Sequence, residues 1–192
     1  MAARPIYGAN RLSYCQLVRQ NLGEQHRLYH DTEYGFPLTT DSELFGRLVL
    51  EINQAGLSWT TILNKKDNFY RAYAGFDIDR VARFNDSDRA RLMADAGIIR
   101  NRLKIEAAVE NARRLREIRA SHGSFVNWLD RHHPLGRAEW VKLFKKTFRF
   151  TGGEIVNEFL LSTGYLPGAH DDDCPIFQKV RKRKPAWMRS RS

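Results

Sequence analysis

The run Thr40-Asp41-Ser42-Glu43-Leu44-Phe45-Gly46-Arg47-Leu48-Val49-Leu50-Glu51-Ile52-Asn53-Gln54-Ala55-Gly56 sets the fold class. Thr40 and Glu43 have capping-box spacing: the hydroxyl serves the amide three residues on, and the carboxylate reaches back. Leu44, Phe45, Leu48, Val49 and Ile52 then recur at helical spacing, and Gly56 ends the run. One residue breaks the pattern. At about 100° per residue, Glu51 lies about 20° from Leu44 and about 60° from Leu48, at the edge of the apolar stripe. A carboxylate there must neutralise, find donors or face a cleft, because an unpaired buried charge is too costly. A satisfied boundary glutamate and a functional acid both fit this position.

Downstream, Gln54-Ala55-Gly56-Leu57-Ser58-Trp59 reads as a tight glycine turn with an apolar tip and an aromatic. Trp59, with Tyr29 and Tyr34, offers flat surfaces for a planar or cationic ligand, although such rings also serve as ordinary core. A helix opens at Asn85 or Ser87 and stops at Gly97. A long one follows from about Arg100 to Ala120, with Leu103, Ala107, Leu115 and Ile118 expected inward. The hairpin Asp95-Ala96-Gly97-Ile98-Ile99-Arg100-Asn101-Arg102-Leu103-Lys104 between them turns amides toward an outside phosphate, helped by Arg100, Arg102 or Lys104. An αα-hairpin with a glycine cap explains the same residues. Further helices cover roughly 124–131, 137–147 and 154–163, and residues 1–38 read mostly as loops with short helical pieces. Few windows alternate with period two. The expectation is a mainly helical single domain over residues 1–178, followed by a disordered basic tail over 179–192.

Charge supports that division. The 192 residues carry 32 Lys+Arg and 22 Asp+Glu, a net +10. Seven cations (Lys179, Arg181, Lys182, Arg183, Lys184, Arg189 and Arg191) and no acid fall in the last fourteen residues, so the rest carries 25 against 22, or +3. Such a tail attracts polyanions without reading sequence, or merely keeps the chain soluble. No apolar run approaches a membrane span and no apolar leader follows Met1, so neither membrane insertion nor secretion is expected. Two cysteines point to a reducing cytoplasm.

Those cysteines fall into a pattern with two histidines. Cys15 precedes His30 by fifteen residues, and His170 precedes Cys174 by four. A Cys₂His₂ set suits tetrahedral Zn²⁺ and would fasten the early part of the chain to the late part. Closing a loop of about 140 residues costs several kcal/mol of chain entropy, which a structural metal offsets. Neither spacing is that of a zinc finger, and unrelated buried thiols and surface histidines are the alternative.

Taken together, Tyr29-His30-Asp31-x-Glu33-x-Gly35-x-Pro37, Glu51-x-x-Gln54-Ala55-Gly56-Leu57-Ser58-Trp59, Asp95-Ala96-Gly97-Ile98-Ile99-Arg100 and His170-x-x-x-Cys174 resemble the DNA-3-methyladenine glycosylase I family of the helix–hairpin–helix superfamily. The second stretch is the most specific. The resemblance implies an all-α fold with structural zinc held by Cys15, His30, His170 and Cys174. It further implies a base pocket lined by Glu51, Tyr29 and Trp59, with Tyr34 as a further base-binding ring. Gly56 and Leu57 would plug the duplex gap, and Gly97, Ile98, Arg100, Arg102 and Lys104 would hold the DNA backbone. The implied partners are double-stranded DNA bearing alkylated purines and free 3-methyladenine as product, for a monomer that meets no membrane. The implied reaction is base flipping and hydrolysis without strand cleavage.

Three places depart from the family's usual pattern: Leu17 and Tyr34 stand where tryptophan is usual, and residues 152–159 are more acidic. They bear on which alkylated bases are accepted. The alternative function is a non-catalytic, zinc-stapled protein that senses alkylated or distorted DNA. Two cysteines exclude the four-cysteine iron–sulfur members as templates.

Overall fold

Why the Thr40–Gly56 run becomes a helix is plain in its first turn. In the computed structural model, which describes residues 12–189, the Glu43 amide donates to the Thr40 hydroxyl at 3.3 Å, and Glu43 accepts from the Thr40 amide at 3.1 Å. The helix spans Asp41–Gln54, and every residue from Leu44 to Asn53 is buried. It is the third of eleven α-helices among the described residues, which contain no strand. The others are α1 (Tyr14–Arg19), α2 (Glu24–Thr32), α4 (Trp59–Ala72), α5 (Ile78–Ala82), α6 (Asp86–Ala94), α7 (Arg102–His122), α8 (Phe125–His132), α9 (Arg137–Thr147), α10 (Gly153–Ser162) and α11 (Pro175–Lys182). Short 3₁₀ turns follow α4 and α11.

The helices gather into two compact units. One is continuous, Thr39–Val156, with α3 through α9 around a core that includes Leu44, Phe45, Leu48 and Ile52. Here Gly46 permits a close approach: a β-carbon on it would stand 2.6 Å from the Phe76 ring. On α8 and α9, Phe125, Trp128, Trp140 and Phe144 form an aromatic layer. The second unit joins residues up to Leu38 with residues from Asn157 onward, so it is built from two distant pieces of chain. Its ends meet through Cys15, Cys174, Ile176 and Val180, against which Phe36 and Phe177 pack.

Several expectations need correction. Residues 12–38 are more helical than expected, carrying both α1 and α2. Helix α4 was not anticipated, because the polar stretch Asn64–Asn68 interrupts its apolar positions Trp59, Ile62, Phe69 and Ala72. Leu103 is 65% exposed rather than inward. It lies about 200° around α7 from buried Ile105, on the opposite face of the helix. The segment from Lys179 is not an unstructured tail as far as Arg189: α11 runs through Lys182, and Val180 and Ala186 are buried. Apolar residues at helical spacing, Ile176 and Val180 at i and i+4, anchor this helix despite its charge. The rest of the expected tail, residues 190–192, lies outside the described residues.

Candidate functional site

Within the second unit, four side chains converge as the scarce cysteines suggested. Ser13 caps α1 and places Cys15 in its first turn, His30 lies in the last turn of α2, and Cys174 is the N-cap of α11. Cys15 Sγ lies 3.2 Å from His30 Nε2 and 3.6 Å from His170 Nδ1. Cys174 Sγ lies 3.7 and 3.8 Å from the same two nitrogens, which are 3.2 Å apart. All four donors are buried and lie within 4.8 Å of one another. Metal–ligand bonds of about 2.0–2.3 Å in a tetrahedron give donor separations of about 3.3–3.8 Å, so the set fits one ion of that size.

The surroundings fit a cation as well. His170 Nε2 donates to the Tyr34 carbonyl at 2.7 Å, which leaves Nδ1 to point at the cluster. His30 Nδ1 meets Asp31 Oδ1 at 2.7 Å, which turns Nε2 inward in the same way. Such outer partners fix the tautomer and orientation of metal-binding imidazoles. Burial holds the His170 imidazole down to about 4, so it is a neutral lone-pair donor at neutral pH. Burial also pushes the Cys15 thiol up to about 12, so thiolate at this position calls for a neighbouring cation. The cluster can therefore bind a metal ion.

The second constellation belongs to the continuous unit. Glu51 projects from the last turns of α3 and is only 4% exposed. Three residues later the helix ends in the expected turn. The Leu57 amide donates to the Gln54 carbonyl at 2.7 Å, and Gln54 Nε2 donates back to the Leu57 carbonyl at 3.0 Å. Gly56 has φ +81°, a conformation costly for any residue with a β-carbon. The turn presents Leu57 with 38% of its surface exposed. Ser58 then caps α4 by accepting from the Thr61 amide, which sets Trp59 in the first turn with its ring buried. The structure thus brings Glu51, Gly56, Leu57 and Trp59 to one end of the α3–α4 pair.

The hairpin after α6 differs in detail from expectation. Gly97 donates its amide to Asp95 Oδ1 at 2.7 Å, and a β-carbon on it would meet that same oxygen at 2.9 Å. Ile98 is buried as a wedge under the turn. The Asn101 side chain accepts from the Lys104 amide and starts α7. The amides of Gly97, Ile98, Asn101 and Lys104 are thus bonded inside the hairpin, while Arg100 and Arg102 are exposed, the latter paired with Glu106 at 2.8 Å. Lys104 departs furthest from the expected phosphate contact. It is buried, and its ammonium donates to the carbonyls of Asn53 at 2.9 Å and Ala55 at 2.6 Å. Those carbonyls close the C-terminal end of α3, where a cation also meets the negative end of the helix dipole. Burial lowers its pKa from the usual lysine value. A lysine seven residues after a hairpin glycine gives no sequence cue that separates this role from a phosphate contact.

Tyr29 and Tyr34 lie in the two-piece unit, both buried, with ring centroids 5.7 Å apart and Tyr14 beside them. The Tyr34 hydroxyl donates to Glu158 Oε2 at 3.4 Å. The reading from sequence missed the two outer partners of the metal donors, Asp31 and the Tyr34 carbonyl. The first had a signal in the His30-Asp31 dipeptide; the second is a backbone group and had none.

An all-helical protein with an internal carboxylate beside an exposed leucine turn, and a separate Cys₂His₂ cluster, defines a narrow class. Comparison with known proteins narrows it further. The family model described as methyladenine glycosylase matches residues 20–140. DNA-3-methyladenine glycosylase 1 of Escherichia coli is 43% identical over 157 residues, covering 72% of this chain and 84% of that protein. DNA-3-methyladenine glycosylase of Haemophilus influenzae is 31% identical over 166 residues, covering 77% and 89%. Among solved structures, that of 3-methyladenine DNA glycosylase I from Staphylococcus aureus superposes with a TM-score of 0.75 at 31% identity, covering 81% of this chain and 93% of that one. A variant of 3-methyladenine DNA glycosylase I in complex with 3-methyladenine gives 0.74 at 30% identity, covering 82% and 95%. The chain belongs to the methyladenine glycosylase family and is, accordingly, a glycosylase.

Proposed function

We propose that this protein hydrolyses the N-glycosidic bond of 3-methyladenine in alkylated double-stranded DNA, flipping the base out of the helix and leaving the strand intact. The observation that carries the reading is Glu51: an acid buried on an apolar helix, beside an exposed leucine turn, in a chain of this family. N3-methylation leaves the adenine ring positively charged. Breaking the N9–C1′ bond returns the electron pair to the ring, so the base departs neutral. Strong proton donation to the leaving group is therefore less necessary than for an ordinary glycoside. Water takes the oxocarbenium-like C1′ and releases one proton, giving free 3-methyladenine and an abasic sugar.

What remains for the protein is extraction and recognition. The Glu51 carboxylate accepts from the exocyclic amine and favours the cationic lesion over neutral adenine. Trp59, in the same unit as Glu51, offers its face to that cation, worth about 0.5–2 kcal/mol. Leu57, on the Gly56 turn, fills the gap left in the duplex. Arg100 and Arg102 hold the backbone beside the Gly97–Ile98 hairpin. Lys104 has its ammonium bound to two carbonyls, which supports a reaction without a lysine Schiff base and hence without strand cleavage. We assign the ion of the Cys15, His30, His170 and Cys174 set as zinc; when bound it supplies structure, not chemistry.

The test is release of base from methylated duplex, resolved chromatographically. Wild type should release 3-methyladenine, and Glu51→Gln should be slower by about 10²-fold, the scale of removing one electrostatic partner of a transition state. Wild type that binds methylated duplex yet releases nothing would make the protein a damage sensor instead.

A further inference from the structure

The chain's basic surface is unevenly neutralised. On α7, Arg102 pairs with Glu106, Arg113 and Arg114 with Glu110, and Arg116 and Arg119 with Asp79. Glu117 and Asp41 add further partners to Arg114 and Arg119, so each of these five arginines is ion-paired. Helix α11 differs. Lys179, Lys182 and Arg183 are exposed and have no ion-pair partner among the described residues. They border a groove of about 600 Å³ with Asp31, Thr32 and Phe36. Lys179 also borders a second groove, of about 710 Å³, whose rim includes Arg27, likewise unpaired. Two acids line these grooves: Asp31, common to both, faces His30, and Glu24 lines the second alone. Around the first groove three cations therefore stand against one acid, and net positive charge remains along this face of α11.

The face is also rigidly presented. Cys174 caps α11, Ile176 and Val180 bury its inner side, Arg181 lies over the Phe177 ring at 5.7 Å, and Phe177 stacks on Trp187. Long cations on an ordered helix lose less freedom on binding than cations on a loose tail. Their chemistry suits a repeated anion and offers nothing for reading bases.

We infer that the Lys179–Lys182–Arg183 face of α11 is a contact surface for the phosphate backbone of duplex DNA. The inference rests on duplex DNA being the substrate. It assigns to α11 a sequence-independent share of DNA binding, additional to the hairpin before α7.

The test measures binding of an undamaged, fluorescein-labelled duplex against salt concentration. Three proteins are compared: wild type, the triple variant Lys179→Gln/Lys182→Gln/Arg183→Gln, and a control with the same loss of charge on α9, Lys142→Gln/Lys145→Gln/Lys146→Gln. Three lost phosphate contacts should make the log–log salt slope shallower by about 2.7. The α11 variant should show that change, with duplex affinity at low salt weakened about tenfold or more. The α9 variant should keep the wild-type slope. A wild-type slope in the α11 variant, or an equal change in both variants, overturns the inference. Binding of free 3-methyladenine, followed in parallel, should persist in both variants and confirms that each is folded. Failure of the wild type itself to bind or release 3-methyladenine would instead count against the proposed function, separately from the slopes.

Discussion

At the scale of single residues, burial and exposure divide the work. Glu51 was recognisable in sequence because a carboxylate on the edge of an apolar stripe conflicts with the stripe, and the structure buries it. Leu57 shows the opposite conflict, an apolar side chain held out by a turn that only Gly56 makes cheaply. Truncating an exposed leucine changes stability little, so Leu57→Ala should stay within about 0.5 kcal/mol of wild type in thermal unfolding. Its release of base from duplex should nonetheless fall about tenfold, equivalent to about 1.4 kcal/mol, while binding of free 3-methyladenine stays unchanged. Unchanged duplex turnover would remove Leu57 from the extraction step. Lys104 was not recognisable in the same way. Sequence supplies its charge and its place after a hairpin, but the carbonyls it satisfies are backbone atoms some fifty residues earlier, invisible until the chain is folded.

At the scale of elements, caps were the most legible signals and gaps in a stripe the least. The Thr40–Glu43 box marked α3, and Asn85 marked α6 through its reciprocal bonds with Asp88. Helix α4 escaped notice because six largely polar residues separate its buried ends, and α11 because charge outweighs its two inward aliphatics. Lys104 gives these elements a mechanical link: it ties the start of α7 to the end of α3, immediately before the leucine turn. Lys104→Met keeps the apolar stem but leaves two carbonyls without their donor, a cost of about 2–4 kcal/mol. Lower thermal stability with base binding retained, and a turnover loss on duplex larger than that on binding free base, is the expected outcome. A variant as stable as wild type would show that water serves those carbonyls equally well.

At the scale of the whole molecule, two cysteines and two histidines were legible as one set only because so few such residues exist to choose from. Their separation of up to 159 positions carries no local pattern. The division into a continuous unit and a two-piece unit was not legible, since it depends on which helices pack together rather than on composition. The metal-binding set lies in the two-piece unit, where loop closure is most costly. Purified protein should therefore carry one equivalent of zinc, measured by elemental analysis. Cys174→Ala should lose it, along with at least about 3 kcal/mol, or about 6–12 °C in melting temperature. Full stability without metal would show that packing of Ile176 and Val180 alone holds the late segment in place.

That arrangement also imposes an order of events on biosynthesis. Cys15 and His30 leave the ribosome long before His170 and Cys174 are made, and the whole of Thr39–Val156 emerges in between. A nascent chain thus carries only half of this four-residue set throughout most of translation. The first helices acquire their final anchorage only when the last ones have been delivered.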